Sequence, residues 1–472
     1  MLTRAPMEAR VNMMKRRLVP LVLVGLGTAV VPLDTSVNIA FPAITRGFGL
    51  PIAMIQWVVI CYVLTYASLM LACGRAGDIF GHGRVFRIGL LWSSAAFLLC
   101  AAAPSYPFLL FFRFLQGIGA GLVISVAPAL VTGMFPEERR SRALGAFTMM
   151  FALGSALGPL VGGALVHAWG WPTVFWFRAP IALSALFFRD RRPTACGGVP
   201  GHRQGREPFD IAGAVLLALA LSTLLLAINQ AQRLGRGDYA ALPLAAAALV
   251  GIVLFLRRES RVATPIVHLE FFRNAGFALI NLANVLVSLT SFAVILLGPY
   301  YLVRFTGLPL PAAGAVLAAS FAGMVAVSPL AGRIVERVPA ERAAAAGAVL
   351  AGAGLFLVAT WAPGKPAETA VILGVLLLQG LGMGVFQVSY MEVVMRTLPP
   401  HQRGVAGSLA MLTRTIGIVG GATLLTLVFD MAEAAAHGPD AFLAAFRATF
   451  RLAGLVCAAS GALAMLTPHA RG

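Results

Sequence analysis

The chain has 472 residues, 59% of them hydrophobic and only 11% charged, with a formal net charge of +18 and a mean hydropathy of +0.87. Soluble proteins carry roughly 25% charged residues, so a soluble globular domain is excluded. The excess of positive charge does not signal nucleic acid, because the basic residues sit in short segments between apolar runs and form no aromatic-interleaved basic domain.

Apolar runs of about twenty residues, the length a helix needs to cross a bilayer, recur from end to end. Long continuous runs select helices over a membrane barrel, whose strands alternate in roughly ten-residue segments. The first run, 18–40, follows Lys15-Arg16-Arg17 and carries Asp34. It is too long for a signal peptide and is read as a retained span. Thirteen more spans are predicted near 52–73, 85–104, 107–133, 143–168, 172–188, 210–230, 240–256, 275–303, 311–331, 342–362, 369–395, 405–428 and 447–467.

Fourteen spans put both termini on one side. Of the 36 Lys and Arg residues, 26 fall at the termini and in the loops after even-numbered spans, and six fall in the opposite loops. That asymmetry assigns the termini to the cytoplasm. The Ala- and Arg-rich composition with two lysines points to a GC-rich bacterial genome, and the expected location is the bacterial inner membrane.

Residues 189–209 are rich in Gly, Pro and Arg and read as a cytoplasmic linker. An internal repeat accompanies it. Gly74–Asp78 is echoed by Gly332–Glu336, Leu115–Gly121 by Leu378–Gly384, and Pro136–Arg139 by Pro400–Arg403, at nearly one offset. A parallel duplication follows: a six-helix half over 1–188, the linker, an inserted helix pair over 210–256, and a second half over 257–472. A site near the midplane between the halves is the expectation.

Several residues stand out on physical grounds. Asp34 lies about sixteen residues past Leu18, roughly 24 Å along a helix, and Arg113 lies at a similar depth in span four. Charges within lipid are costly and usually functional. The pair is either a proton carrier with its partner or a permanent structural ion pair. A third option is that Asp34 caps a local break near Pro32 and Pro42. Asn38, one turn on, shares its face. In the segment after span two, "GRAGDIFGHGR", Asp78 is placed to accept hydrogen bonds from a neighbouring helix N-terminus. Gly154, Gly158 and Gly162 recur every four residues in "GSALGPLVGG", forming one flat face with Pro159 as a kink. In span nine Asn281, Asn284, Ser288 and Ser291 share a face, either a cavity wall or an interhelical hydrogen-bonding surface. Glu392 either attracts a cationic solute or pairs with Arg396 four residues on. Arg414 lies deep in span thirteen, as a cavity or packing charge.

Those motifs carry a resemblance to the fourteen-span drug:proton antiporters of the major facilitator superfamily. It covers nearly the whole length. Gly74, Asp78, Gly81 and Arg84 match the family's loop motif, while Ile79, His82 and Gly83 depart from it. "RFLQGIGAG" resembles the motif in which an arginine takes part in proton transfer, and Gly154–Gly163, including Gly158, Pro159 and Gly162, resembles the antiporter motif. Arg178 is a departure, standing where that family usually has asparagine. The resemblance implies an all-α major facilitator fold with spans one and four lining a central cavity. It implies a cytoplasmic latch formed by Gly74, Asp78, Gly81, Arg84 and, in looser copy, Glu336 with Arg333 and Arg337. It also implies proton coupling through Asp34 and Arg113, with an amphipathic, drug-like solute and protons as the transported partners.

No P-loop, HExxH or GxSxG motif occurs, and the five cysteines (Cys61, Cys73, Cys100, Cys196, Cys457) have no metal-ligand spacing. Neither enzymatic activity nor a cofactor is expected. Uptake of a metabolite and a non-transporting scaffold are the alternatives to export.

Overall fold

A computed structural model describes residues 22–50, 54–135, 139–183, 210–230, 239–262, 265–266, 270–306, 310–361, 368–399, 402–436 and 440–466. Among them every long element is a helix. In chain order they are α1 (22–29), a 3-10 turn Pro32–Thr35, α2 (Ser36–Phe48), α3 (Gln56–Phe80), α4 (His82–Ala101), α5 (Tyr106–Gly133), α6 (Arg140–Trp169), α7 (Thr173–Trp176) and α8 (Arg178–Leu183). There follow α9 (Ile211–Gln230), α10 (Ala241–Glu259), α11 (Glu270–Arg273), α12 (Ala275–Thr306), α13 (Leu310–Val335), α14 (Ala340–Val358), α15 (Glu368–Thr397), α16 (Arg403–Ala435) and α17 (Ala441–Met465).

Thirteen spans are long and apolar enough to cross a bilayer among the described residues. The predicted sixth span begins at α7 and α8 and passes into residues outside that set. The linker 189–209 and Cys196 also lie outside it. Large apolar side chains such as Phe111, Leu249 and Leu455 are exposed on the perimeter, the surface a hydrocarbon solvent requires.

Helices α2 to α8 pack on one another, with α1 against α4 and α6 at Gly27 and Gly25, as do α12 to α17. The two sets meet where α6 packs on α13 and α15, and where α16 packs on α3 and α5. The α9–α10 pair rests on α3 and α16 through α9. Asp210 caps α9 by accepting from the Gly213 N–H at 2.9 Å, and the same carboxylate receives Arg258 Nη2 from the end of α10 at 2.8 Å. One acid thereby ties both ends of the hairpin together.

Two boundaries differ from the sequence reading. The segment Gly74–Phe80 is helical, so Gly74 and Asp78 lie on the last turns of α3, and the turn itself is Gly81, whose φ of +94° suits a residue without a Cβ. Apolar content marks where a helix leaves the bilayer, not where its hydrogen bonding stops. For the same reason α17 begins at Ala441, six residues before the predicted start of the last span, and Arg447 within it donates to the Trp361 carbonyl.

A buried carboxylate between two arginines

The first span breaks at Pro32, which lacks an N–H and opens the 3-10 turn Pro32–Thr35. Helix α6 seats against that break. A Cβ on Gly154 would lie 2.7 Å from the Ala29 carbonyl, and one on Gly162 would lie 2.7 Å from Ser36 Cβ. On Gly158 it would collide with Thr35 Oγ1. Three small residues on one face thus let α6 press the turn inward. Gly163 points away, with only Ile39 near it, and Pro159 sits within the continuous helix.

Asp34 stands on this turn and caps nothing; its carboxylate is spent on side chains. Arg113 of α5 donates to both oxygens, Nη1 to Oδ1 at 2.7 Å and Nη2 to Oδ2 at 2.8 Å. Gln116 Nε2 donates to Oδ1 at 2.9 Å, and Arg178 Nη1 of α8 donates to Oδ1 at 2.6 Å. Both arginines are fully buried, while the Asp34 side chain remains 11% exposed. The acid is the accessible tip and the guanidiniums are its backing.

Each arginine is fixed in turn. Arg113 Nε donates to the Val58 carbonyl at 2.7 Å, its Nη1 to Gln116 Oε1 at 2.8 Å, and its plane lies 4.3 Å from the Tyr62 ring centroid. Arg178 Nε donates to the Val174 carbonyl at 3.0 Å and stacks 4.5 Å from Phe97. Its Nη2 has no hydrogen-bond partner among the described residues. One carboxylate and two guanidiniums leave the cluster with one uncompensated positive charge.

Asp34 opens onto a cavity of about 330 Å³ between the two helix sets, within the span of small-molecule sites, roughly 300–1,000 Å³. Asn38, Tyr62, Ser288, Ser291 and Arg414 also line it. Arg414 reaches in from α16 and lies 4.5 Å over the Phe151 ring. Of the two readings of the span-nine face, Asn281 and Asn284 follow the interhelical one, while Ser288 and Ser291 line the cavity. Tyr390 donates to Asn281 Oδ1 at 2.9 Å, Gln387 to Asn284 Oδ1 at 3.1 Å, and Asn284 to Thr413 at 2.9 Å. Buried amides must find partners, and here neighbouring helices supply them. Glu392 is buried on α15, away from the cavity, and Arg396 is exposed.

At the far end of α3, Asp78 accepts from the Gly404 N–H at 2.8 Å and the Val405 N–H at 3.1 Å, at the start of α16. His82 Nε2 lies 2.9 Å from the same carboxylate. A Cβ on Gly74 would lie 2.6 Å from the Gly404 carbonyl, which makes the contact backbone to backbone. Glu336 occupies the duplicate position and accepts Arg142 Nη2 of α6 at 2.6 Å, not Arg333 or Arg337. Arg84 is exposed in the first turn of α4. The tight glycine contacts between the two helix sets (Gly74 and Gly404, Gly145 with Ser328, Gly332 with Ser141, Gly407 with Ser125) cluster at this end.

A family model described as Major Facilitator Superfamily matches residues 24–269 and 280–471. The chain belongs to the major facilitator superfamily. This member is therefore a multi-pass membrane transporter with the all-helical fold of that family. It is 29% identical to the multidrug resistance protein Stp of Mycobacterium tuberculosis over 88% of its length and 76% of that protein's. It is 29% identical to the multidrug transporter protein MdtP of Bacillus subtilis, over 84% of its length and 72% of MdtP's. It is 27% identical to the riboflavin transporter RibZ of Clostridioides difficile, over 88% and 89%. Among solved structures, the human organic anion transporter MFSD10 aligns with a TM-score of 0.65 at 17% identity, over 95% of this chain and 99% of that one. FucP in its outward conformation aligns at 0.58 and 13%, over 96% and 99%. At such identities these two bear on the fold alone.

Two residues of the site escaped the sequence reading. Gln116 lies inside a glycine motif and gives no separate signal. Arg178 departs from the family stretch, and an arginine within "WPTVFWFRAP" is itself a signal for a buried partner.

Proposed function

We propose that this transporter is a proton-coupled exporter of small amphipathic molecules working by alternating access. In this reading fourteen spans form two six-helix halves, 1–188 and 257–472, joined by the linker 189–209 and flanked by the inserted pair 210–256. Both termini lie in the cytoplasm of a bacterial cell and the chain sits in the inner membrane. The observation that carries the reading is Asp34: one carboxylate, partly accessible at a central cavity and held by two arginines that never reach it. A group so placed releases its proton when the arginines engage it and takes one when the surrounding helices loosen their grip. Desolvation favours the neutral acid and nearby guanidinium favours the anion, so a small change in arginine distance shifts the balance. The Asp78 contact with α16 serves as the cytoplasmic latch, closed while the cavity faces outward. The multidrug names of two relatives at 29% identity agree with export.

Asp34→Asn tests this in proteoliposomes under an imposed pH gradient. Solute binding survives and proton-driven flux is lost. Flux that keeps its rate and pH dependence in the variant removes Asp34 from the mechanism. A second reading, proton-linked uptake of a metabolite, is supported by the riboflavin transporter among the relatives. The direction of net flux separates the two.

A further inference from the structure

The charges around the cavity do not balance. Asp34 is the sole carboxylate lining the cavity among the described residues, and two guanidiniums already hold it. Arg414 adds a third cation from the opposite helix set. Its guanidinium stacks on Phe151 at 4.5 Å, and no carboxylate pairs with it among the described residues. A cation left without a counter-ion in an apolar enclosure is costly. It is retained where a ligand completes it. The remaining walls are largely apolar and aromatic, with Tyr62, Phe292 and Phe321 alongside Phe151.

We infer that the cavity selects organic anions, specifically planar aromatic solutes bearing a carboxylate or comparable acidic group, and that Arg414 receives the anionic end. A cationic solute would find no free carboxylate there, since the one present is occupied by Arg113 and Arg178. The guanidinium offers a planar fork that matches a carboxylate's two oxygens, and the rings accept the flat body. This charge preference rests on the cavity being the transport site, and it holds for export and uptake alike.

The experiment uses the full-length protein in lipid nanodiscs and three fluorescent probes sharing one aromatic ring system: a carboxylate, its neutral methyl ester and an amine analogue. The carboxylate binds at least about ten-fold more tightly than the ester, as a charge-assisted hydrogen bond warrants. Arg414→Gln abolishes that preference and Arg414→Lys keeps part of it. Ile418→Glu, one turn along α16 and also on the cavity wall, reduces it without removing the arginine, so the result does not hinge on one variant folding. Absence of carboxylate binding, equal binding of the amine, or a preference that survives both Arg414→Gln and Ile418→Glu overturns the inference. Proton-driven flux is scored separately in proteoliposomes. Flux of the ester or amine sustains the transport reading while the anion preference fails. Tight carboxylate binding with no proton-linked flux of any probe does the reverse.

Discussion

Asp34 and Arg178 are separated by 144 residues in the chain and by 2.6 Å in the folded protein. The contact joins the break in the first span to the start of α8, and it places a second cation on an acid that Arg113 already grips with two hydrogen bonds.

The two arginines are not equivalent. Replacing Arg113 with Leu removes two of the four hydrogen bonds to Asp34, together with the side-chain donors to Val58 O and Gln116 Oε1. Breaking a buried ion pair from one side costs about 3–5 kcal/mol. Arg178→Leu leaves the bidentate pair intact and removes the surplus charge, so it costs clearly less. Thermal unfolding of the purified variants in one detergent orders them: wild type, then Arg178→Leu, then Arg113→Leu as the least stable.

At the contact between Asp78 and α16, Asp78→Asn replaces charge-assisted bonds to two backbone N–H groups with neutral ones, a loss of about 1–2 kcal/mol. Because the contact joins the two helix sets, the loss falls on one conformation. Thiol labelling of a cysteine introduced in the half of the interface that holds Asp78 rises about ten-fold. Glu336→Gln shifts it little, since Arg142 is about half exposed and such pairs contribute about 0–1 kcal/mol.

Gly158→Ala drives a methyl group into Thr35 Oγ1 and displaces the turn that holds Asp34. Overpacking of this kind costs about 1–3 kcal/mol. Transport falls by more than ten-fold with protein still in the membrane. Gly163→Ala, with Ile39 at a comfortable 3.8 Å, leaves transport unchanged. Equal effects at both positions would refute the account of this helix seam.

Asp210 tests a surface tie. The hydrogen bond from Arg258 and those from the N-terminal amides of α9 hold its carboxyl below the usual carboxylate range, against a smaller effect of burial. A lowered folded-state value means the contribution is present above the ordinary carboxylate pKa, near 4, and fades as pH falls through the lowered one. Asp210→Ala costs about 1 kcal/mol at pH 7. In acid, below the lowered value, wild type and variant unfold at the same temperature.

Membrane insertion, the helical class, the approximate span positions and the family followed from the sequence, because each depends on hydropathy summed over about twenty residues or on short glycine motifs. The shared depth of Asp34 and Arg113 was also legible, since a helix rises a fixed distance per residue. Which faces meet was not. The spacing of Asn281 and Asn284 allowed a cavity wall or a link between helices, and the packing makes them links between α12, α15 and α16. Arg178 reached Asp34 only because Pro32 breaks the first span and three glycines let α6 press that break inward. Spacing along one helix fixes direction relative to that helix alone. The partner across the gap is chosen by how closely two backbones approach, and that is decided by the packing of the whole bundle.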